Sequence, residues 1–294
     1  MIALGLMSGT SMDGIDAAIV TTDGERVVST GPWATYPYEP ALRAELAAVV
    51  EAAENADPGA LGALETALTD ANAAAVLALL RDNGLSSSDI DIVGFHGQTV
   101  LHRPDRRVTR QLGDGGRLAR AIGIDVVNDF RSADVAAGGQ GAPFAPLYHL
   151  ALAKGLERPL AVLNLGGVAN VTYIGTGGPD DVLAFDTGPG NAMIDDWVAG
   201  HTGRRFDEDG RLAAAGTPDR GRLARLLAHG YFALAPPKSL DRNDFSAAAL
   251  AGLSTADGAA TLTAFAAAAI ARGRAHLPAP PKRWLVGGGG RHNA

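Results

Sequence analysis

Asp186 is the residue best placed for acid–base chemistry in this chain. It follows an apolar run, residues 182–185, and precedes the turn sequence Thr-Gly-Pro-Gly-Asn. Ligands of open α/β sheets bind outside the carboxyl ends of the strands, where a carboxylate can act as general base toward water or a sugar hydroxyl. The same place in a chain also suits a residue that caps the following helix. The sequence therefore predicts either a catalytic base or a helix cap at Asp186.

A turn between two apolar runs near the N-terminus has the composition of a phosphate site. Closely spaced glycines let backbone N–H groups approach an anion, and hydroxyl groups add donors. An aspartate in such a turn can hold Mg²⁺ through bound water, because Mg²⁺ prefers oxygen ligands and keeps part of its hydration shell. An ordinary polar hairpin turn fits equally well, since neither the P-loop pattern nor the dinucleotide-binding pattern occurs. The residues concerned are Gly9, Thr10, Ser11, Met12, Asp13, Gly14, Ile15 and Asp16.

Polar residues that could bind a hydroxylated substrate follow a further apolar run and recur in a polar stretch near the predicted lobe boundary. His96, Gln98 and Thr99 lie after residues 90–95, at a predicted strand end and loop. Hydrogen bonding to a polyhydroxy substrate is one interpretation of them, and a structural histidine is the other. A zinc site is disfavoured, because His96 and His102, six positions apart, have no third histidine or cysteine ligand near them in the sequence. Arg131 can pair bidentately with a carboxylate, although a structural salt bridge explains it as well.

Each half of the chain opens with a strand, a polar glycine-rich turn and a returning strand. The first unit covers residues 2–22 and the second residues 160–174. Helical composition follows at residues 41–54 and 59–83, so the fold class is α/β. This weak repeat predicts two related lobes, an N-terminal lobe of residues 1–135 and a C-terminal lobe of residues 136–294.

Composition excludes several classes of protein. The net charge of −7 argues against nucleic-acid binding, which requires clustered Lys and Arg. The absence of cysteine excludes disulfides and thiolate nucleophiles. The N-terminus does not resemble a signal peptide, and the apolar stretch 262–271 is shorter than the ~20 residues that cross a bilayer. These features predict a soluble cytoplasmic protein with no membrane partner.

The motifs, taken in their order along the chain, resemble those of anhydro-N-acetylmuramic acid kinases. The resemblance covers essentially the whole sequence. The matching segments are residues 5–16 (Gly-Leu-Met-Ser-Gly-Thr-Ser-Met-Asp-Gly-Ile-Asp), 96–99 (His-Gly-Gln-Thr), 128–131 (Asn-Asp-Phe-Arg), 138–143 (Gly-Gly-Gln-Gly-Ala-Pro), 164–167 (Asn-Leu-Gly-Gly), 186–191 (Asp-Thr-Gly-Pro-Gly-Asn) and 236–239 (Pro-Pro-Lys-Ser).

This resemblance implies a two-lobed, actin-like ATPase fold of the ribonuclease H type, with ATP in the interlobe cleft. It implies an enzyme that opens the ring of 1,6-anhydro-N-acetylmuramic acid and phosphorylates O6 during cell-wall recycling, with ATP and Mg²⁺ as cofactors and a homodimer as the assembly. Asp186 would activate water, and residues 9–16 would hold the ATP phosphates. Gly166 and Gly167 would form the second phosphate turn, while Gly288 and Gly289 would border the adenosine. From their residue types, and not from the family, we expect His96, Gln98 and Thr99 to bind the sugar and Arg131 to pair with its lactyl carboxylate.

Two features leave an alternative open. A strand at 283–286 and a glycine-rich turn end the chain where a helix normally follows, so we expect the fold to be C-terminally truncated relative to the family. The segment after Pro-Pro-Lys-Ser also departs from the family pattern. A non-catalytic sugar or nucleotide sensor, or an inactive fragment of the same fold, is therefore the alternative to a kinase.

Overall fold

The computed structural model describes residues 1–9, 12, 14–52, 58–178, 180–240 and 244–293. The chain divides into two compact units, Met1–Ala142 and Pro143–Ala294. The sequence places the boundary earlier, between residues 135 and 136. The intervening segment lies with the first unit because the amide of Gly141 donates to the Asp134 carboxylate and its carbonyl accepts from Arg131.

The first unit, unit 1, is built on a five-stranded mixed sheet in the order β3-β2-β1-β4-β7. β1, β2 and β3 run antiparallel, whereas β4 and β7 continue the sheet in parallel from β1. A separate antiparallel hairpin, β5–β6, follows β4. The strands are β1 (Ile2–Met7), β2 (Gly14–Thr22), β3 (Val27–Pro37), β4 (Ile92–Phe95), β5 (Gln98–Arg103), β6 (Val108–Leu112) and β7 (Val126–Asn128).

The core of unit 1 consists mainly of side chains from one face of its sheet and from a long helix. Side chains at every second position of β2, namely Ile15, Ala17 and Ile19, point into the core, as expected for a strand with one buried face. The helices are α1 (Pro40–Glu51), α2 (Pro58–Asp82), α3 (Gly115–Ile122) and α4 (Ser132–Ala136).

The part of α2 from Leu61 to Asp82 is long and apolar enough to cross a membrane by length and composition alone. Half of its most apolar window is buried inside the fold. Leu68, Val76 and Leu79 on that buried side belong to the core of unit 1. This is the packing of a core helix, and it lies where the sequence predicts a helix, at residues 59–83.

The second unit, unit 2, has a four-stranded sheet in the order β10-β9-β8-β11 and a helical layer. The long helix α9 contributes Leu262 and Phe265 to a core that it shares with Trp197 of α6. The strands are β8 (Leu160–Leu165), β9 (Val168–Ile174), β10 (Val182–Pro189) and β11 (Arg283–Gly287), and the helices are α5 (Ala145–Leu152), α6 (Ala192–Thr202), α7 (Arg211–Ala214), α8 (Arg220–Leu227) and α9 (Thr255–Gly273).

Both units contain the same strand arrangement. In each, three successive strands pair antiparallel and a later strand adds in parallel beside the first of them. The strand–turn–strand units predicted at the start of each half are therefore confirmed, and the α/β class with mixed sheets is confirmed with them.

Two predicted element boundaries were wrong. Gln98 and Thr99 lie within strand β5 rather than in a loop, because β5 pairs with β6. Asp186 does not end its strand, which continues to Pro189. Pairing with β9 continues past Asp186 because a β-bulge between Asp186 and Gly188 absorbs one residue.

Candidate active site

Asp186 lies at the β-bulge in β10, where the strand bends. Its side chain is half-buried. Gly188, with φ 151°, forms the other side of the bulge, and a Cβ at this position would lie 2.8 Å from the Cβ of Ala269 in α9. The close contact with α9 therefore requires glycine and fixes the bulge. Since α6 begins at Ala192 with Asn191 at its N-cap position, Asp186 does not cap that helix, and the cap interpretation was wrong.

The carboxylate and the main chain of Asp186 are both held by residues 231–240. Oδ2 accepts from the amide of Leu240 at 2.8 Å. The Asp186 amide donates to the carbonyl of Lys238 at 3.0 Å, and the Asp186 carbonyl accepts from the hydroxyl of Tyr231 at 2.5 Å. Contacts of this kind restrict the directions in which the carboxylate can point, as a general base requires.

Residues Gly166 and Gly167 form the turn between β8 and β9, against the start of α6. The Gly166 carbonyl accepts from the amide of Asn191, and the Gly167 carbonyl accepts from the amides of Gly190 and Ala192. Each N–H points opposite to the carbonyl of the same planar peptide. The amides of Gly167 and Val168 are therefore directed away from α6, and successive amides of a turn are groups that can bind an anion.

Gly190 makes this close contact possible. A Cβ at Gly190 would lie 2.3 Å from the Gly166 carbonyl oxygen, and backbone atoms on the other sides leave no room for movement.

The C-terminal glycines meet the same edge of the unit 2 sheet. Strand β11 pairs with β8 so that Gly287 lies opposite Asn164, which places Gly288 at the end of β8. The Cβ position of Gly288 is 2.5 Å from the Leu165 carbonyl oxygen. The space around the Cβ position of Gly289 is open to 4 Å, so a ligand can approach the backbone there.

The first turn of unit 1 is described only in part. Thr10, Ser11 and Asp13 lie outside the described residues. The Gly9 carbonyl accepts from the amide of Met12, which has a positive φ of 52°.

The remaining predicted residues of this turn lie in β2, and their side chains are divided between its two faces. Gly14 begins the strand. Ile15 is 2 % exposed and belongs to the core, so only its backbone can contact a ligand. Asp16 is exposed and accepts a hydrogen bond from the hydroxyl of Thr35 at 2.5 Å.

His96 and Arg131 are brought together in unit 1. Nε and Nη2 of Arg131 donate to Nε2 of His96 at 3.0 and 2.8 Å, while Nη1 donates to the Gly141 carbonyl. His96 Nδ1 lies 2.7 Å from the Gly97 carbonyl oxygen, so the ring is neutral with its proton on Nδ1. Burial and the charge of Arg131 lower the pKa of His96 to about 4. The pair is therefore a positive guanidinium held by a neutral imidazole.

Gln98 and Thr99 lie in β5 beside this pair. Gln98 is 2 % exposed, and its Nε2 donates to the Gly9 carbonyl at 3.3 Å and to the Thr99 carbonyl at 3.4 Å. Within the part of the chain that the structure describes, Oε1 of Gln98 is buried without a hydrogen-bond partner. A buried acceptor in this state is unfavourable unless a ligand or water donates to it. Through its hydrogen bond to the Gly9 carbonyl, Gln98 links the first turn to β5.

A cavity of about 250 Å³ opens next to His96 in unit 1. Gln111, which the sequence analysis does not identify, lines this cavity. Its Nε2 donates to the hydroxyls of Thr99 and Thr109, and its Oε1 is buried without a partner among the described residues. No local sequence signal marks Gln111, which the pairing of β5 with β6 places opposite Thr99. Other lining residues are Phe95, Gly97, Arg110, Leu112, Gly113, Asn128, Asp129 and Ser132.

The described part of the chain contains no cluster of three His, Asp or Glu side chains that could hold a metal ion. Mg²⁺ bound to a nucleotide needs only one or two protein carboxylates besides phosphate oxygens and water. Asp13, the predicted ligand, lies outside the described residues.

Three similar relatives of this chain share one name. A profile of the anhydro-N-acetylmuramic acid kinase family matches residues 1–294. An anhydro-N-acetylmuramic acid kinase of Nitrobacter winogradskyi is 56 % identical over all of this chain and 81 % of its own length. One of Acidiphilium cryptum is 58 % identical over all of this chain and 80 % of its own length. One of Rhodospirillum rubrum is 55 % identical over 99 % of this chain and 76 % of its own length. The chain belongs to the anhydro-N-acetylmuramic acid kinase family.

Proposed function

We propose that this protein is an ATP-dependent kinase that opens 1,6-anhydro-N-acetylmuramic acid with water and phosphorylates O6, producing N-acetylmuramic acid 6-phosphate in cell-wall recycling. Membership of the family over the full chain supports the reaction. The observation that carries the mechanism is the half-buried carboxylate of Asp186, fixed by the Leu240 amide at the bulge of β10.

Asp186 is the proposed general base. Its carboxylate takes a proton from water as the water oxygen bonds to the anomeric carbon and the bond from that carbon to O6 breaks. O6 then receives the γ-phosphoryl group that ATP supplies, with ADP as the leaving product. A positioned base contributes ~10²–10⁴-fold to such a step.

The glycine-rich turns are the proposed phosphate sites. In unit 2, the outward-directed amides of Gly167 and Val168 fit an anion, and the open space beside Gly289 fits a nucleotide near the backbone. In unit 1, residues 9–16 are assigned the same role by resemblance. The strand arrangement shared by the two units supports the finer assignment to the ribonuclease H-like, actin-like ATPase fold.

Mg²⁺ would accompany ATP, as the resemblance implies, and would neutralise charge on the phosphates. We assign it to no described side chain.

Sugar recognition is proposed for the region of unit 1 around His96, where strand β5 lies next to the cavity that His96 and Gln111 line. Gln98 and Thr99 are the proposed direct contacts, because Oε1 of Gln98 is a buried acceptor and the Thr99 hydroxyl can exchange partners. Both ring nitrogens of His96 have protein partners, so His96 would contact a sugar only after one of these bonds is exchanged. Arg131 is the proposed partner of the lactyl carboxylate, because a guanidinium can bind a carboxylate bidentately.

The assembly and location follow from the family and the composition. We propose a homodimer by resemblance, and a cytoplasmic protein without nucleic-acid or membrane partners from its net charge of −7 and the core packing of α2.

Release of ADP by the purified protein tests this function. The protein is assayed with ATP and Mg²⁺ plus 1,6-anhydro-N-acetylmuramic acid, N-acetylmuramic acid or glucose. We expect turnover only with the anhydro sugar. Turnover with a sugar that has a free O6 would indicate a different sugar kinase. Binding of ATP and the anhydro sugar without turnover would indicate a sensor.

A further inference from the structure

Lys238 is a buried lysine to which the proposed reaction assigns no role. The residue is 7 % exposed, and its Nζ donates to the Tyr231 carbonyl at 3.2 Å. The ammonium also lies 4.6 Å from the centre of the Tyr231 ring and 5.9 Å from that of Phe185. Burying an ammonium is unfavourable unless other groups compensate it, and the carbonyl and the ring faces do so. The chain thus keeps a cation beside the strand that carries Asp186.

The backbone at Lys238 is bonded directly to Asp186. The Lys238 carbonyl accepts from the Asp186 amide at 3.0 Å, and two residues later the Leu240 amide donates to Oδ2 of Asp186 at 2.8 Å. One short segment therefore binds both the main chain and the carboxylate. Any movement of this segment changes the direction of the carboxylate.

Tyr231 joins the side chain of Lys238 to Asp186. The Tyr231 hydroxyl donates to the Asp186 carbonyl at 2.5 Å, and the same residue offers its carbonyl and ring to Lys238. Burial, with smaller contributions from the charges of Asp186 and Asp244, raises the pKa of Tyr231 well above its usual range. The hydroxyl therefore stays protonated and remains a donor to the Asp186 main chain.

We propose that Lys238 is a positioning residue for Asp186: its buried ammonium, held over Tyr231, anchors the segment whose backbone orients the Asp186 carboxylate. This inference rests on the proposed role of Asp186 as base. Without the ammonium, Tyr231 and Lys238 lose the hydrogen bond and the ring contact that join them directly. The carboxylate then spends less time in the direction that activates water, and a displacement of about 1 Å can cost about 10²-fold in rate.

Lys238→Met separates this role from simple packing, because methionine retains most of the apolar stem and removes only the charged end. Lys282→Met is the matched control, since Lys282 is an exposed lysine of the same unit that pairs with Glu157. Tyr231→Phe removes the hydroxyl and keeps the ring over which the ammonium lies.

The first measurement is a double-mutant cycle on kcat, with KM for ATP and for the anhydro sugar recorded alongside. We expect Lys238→Met to lower kcat about 10–100-fold while both KM values stay within about threefold of wild type. The double variant with Tyr231→Phe should lose little more than the more impaired single variant, because the two residues act through one connection. An unchanged kcat in Lys238→Met, or losses that multiply in the double variant, would overturn the proposal.

The second measurement is hydrogen exchange at the amides of Asp186 and Leu240, which needs no turnover. Exchange at both amides should be about tenfold faster in Lys238→Met and unchanged in Lys282→Met. Equal exchange in wild type and Lys238→Met would refute the positioning role. A wild-type protein inactive on the anhydro sugar would instead refute the proposed function, and the exchange result would still decide the role of Lys238.

Discussion

Replacing Asp186 by asparagine should abolish the proposed proton transfer and leave the fold nearly unchanged. The main-chain bonds to Lys238 and Tyr231 do not involve the side chain. The amide oxygen of asparagine can still accept from Leu240, as Oδ2 does now. Since a single hydrogen bond contributes about 0.5–1.5 kcal/mol, we expect the free energy of unfolding to change by less than about 1 kcal/mol.

The effect on catalysis should be much larger. Loss of a positioned base lowers kcat by about 10²–10⁴-fold, which corresponds to about 3–5 kcal/mol of activation free energy. KM for ATP and for the anhydro sugar should stay close to wild type, because asparagine occupies the same volume.

The assay is ADP release with saturating ATP and anhydro sugar, and thermal unfolding is measured on the same samples. Asp181→Asn is the control, because Asp181 also accepts a backbone amide in unit 2 but lies in the loop before β10. A kcat of Asp186→Asn within about threefold of wild type would refute the assignment of Asp186 as base. A large loss of thermal stability would show that the carboxylate has a structural role instead.

Three further predictions concern the parts of the fold that hold the site. Gly190→Ala should destabilise the protein by about 1–3 kcal/mol in urea unfolding, because the new Cβ would meet the Gly166 carbonyl at 2.3 Å. His96 should titrate in NMR spectra with a midpoint near pH 4 instead of 6.5, since burial and Arg131 lower its pKa. The stability that neutral His96 contributes should be complete above pH 6.5 and decline as the pH falls toward 4, because the unfolded chain takes up the proton first. Asp207→Ala should cost about 1–2 kcal/mol in unfolding free energy, because its carboxylate accepts two amides at the start of α7.

Matched variants serve as controls for two of these predictions. Gly200→Ala adds a Cβ in α6 where no atom lies within 4 Å, so it should not destabilise the protein. Glu208→Ala lies next to Asp207 and should leave stability within about 0.5 kcal/mol of wild type. Equal stability of Gly190→Ala and wild type, or a His96 midpoint near 6.5, would contradict the described geometry.

The strands and turns that flank the site could be predicted from the sequence because their signals are local. Apolar runs bounded by glycine-rich turns define β1–β2 and β8–β9 without any knowledge of tertiary contacts. The position of Asp186 within its strand could not be predicted in this way. It depends on the bulge at Gly188, which the packing of Ala269 from α9 fixes from outside the strand.

Contacts between residues that are distant in the sequence could not be predicted either. Arg131 meets His96 from 35 positions away, and only the parallel pairing of β4 and β7 brings the two residues together. Lys238 follows two prolines, and nothing in that local sequence indicates that its side chain is buried over Tyr231. In both cases the tertiary fold, rather than the local pattern, determines which groups surround the side chain.

Mass analysis of the product formed in ¹⁸O-labelled water tests whether the protein opens the anhydro ring with water and phosphorylates the sugar. The protein is incubated with ATP, Mg²⁺ and 1,6-anhydro-N-acetylmuramic acid, and the sugar product is fragmented to separate its phosphate from the ring. We predict a product that has gained one water and one phosphoryl group, with the label on the sugar and none on the phosphate. An unchanged anhydro sugar, or label found in the phosphate released from ATP, would contradict it.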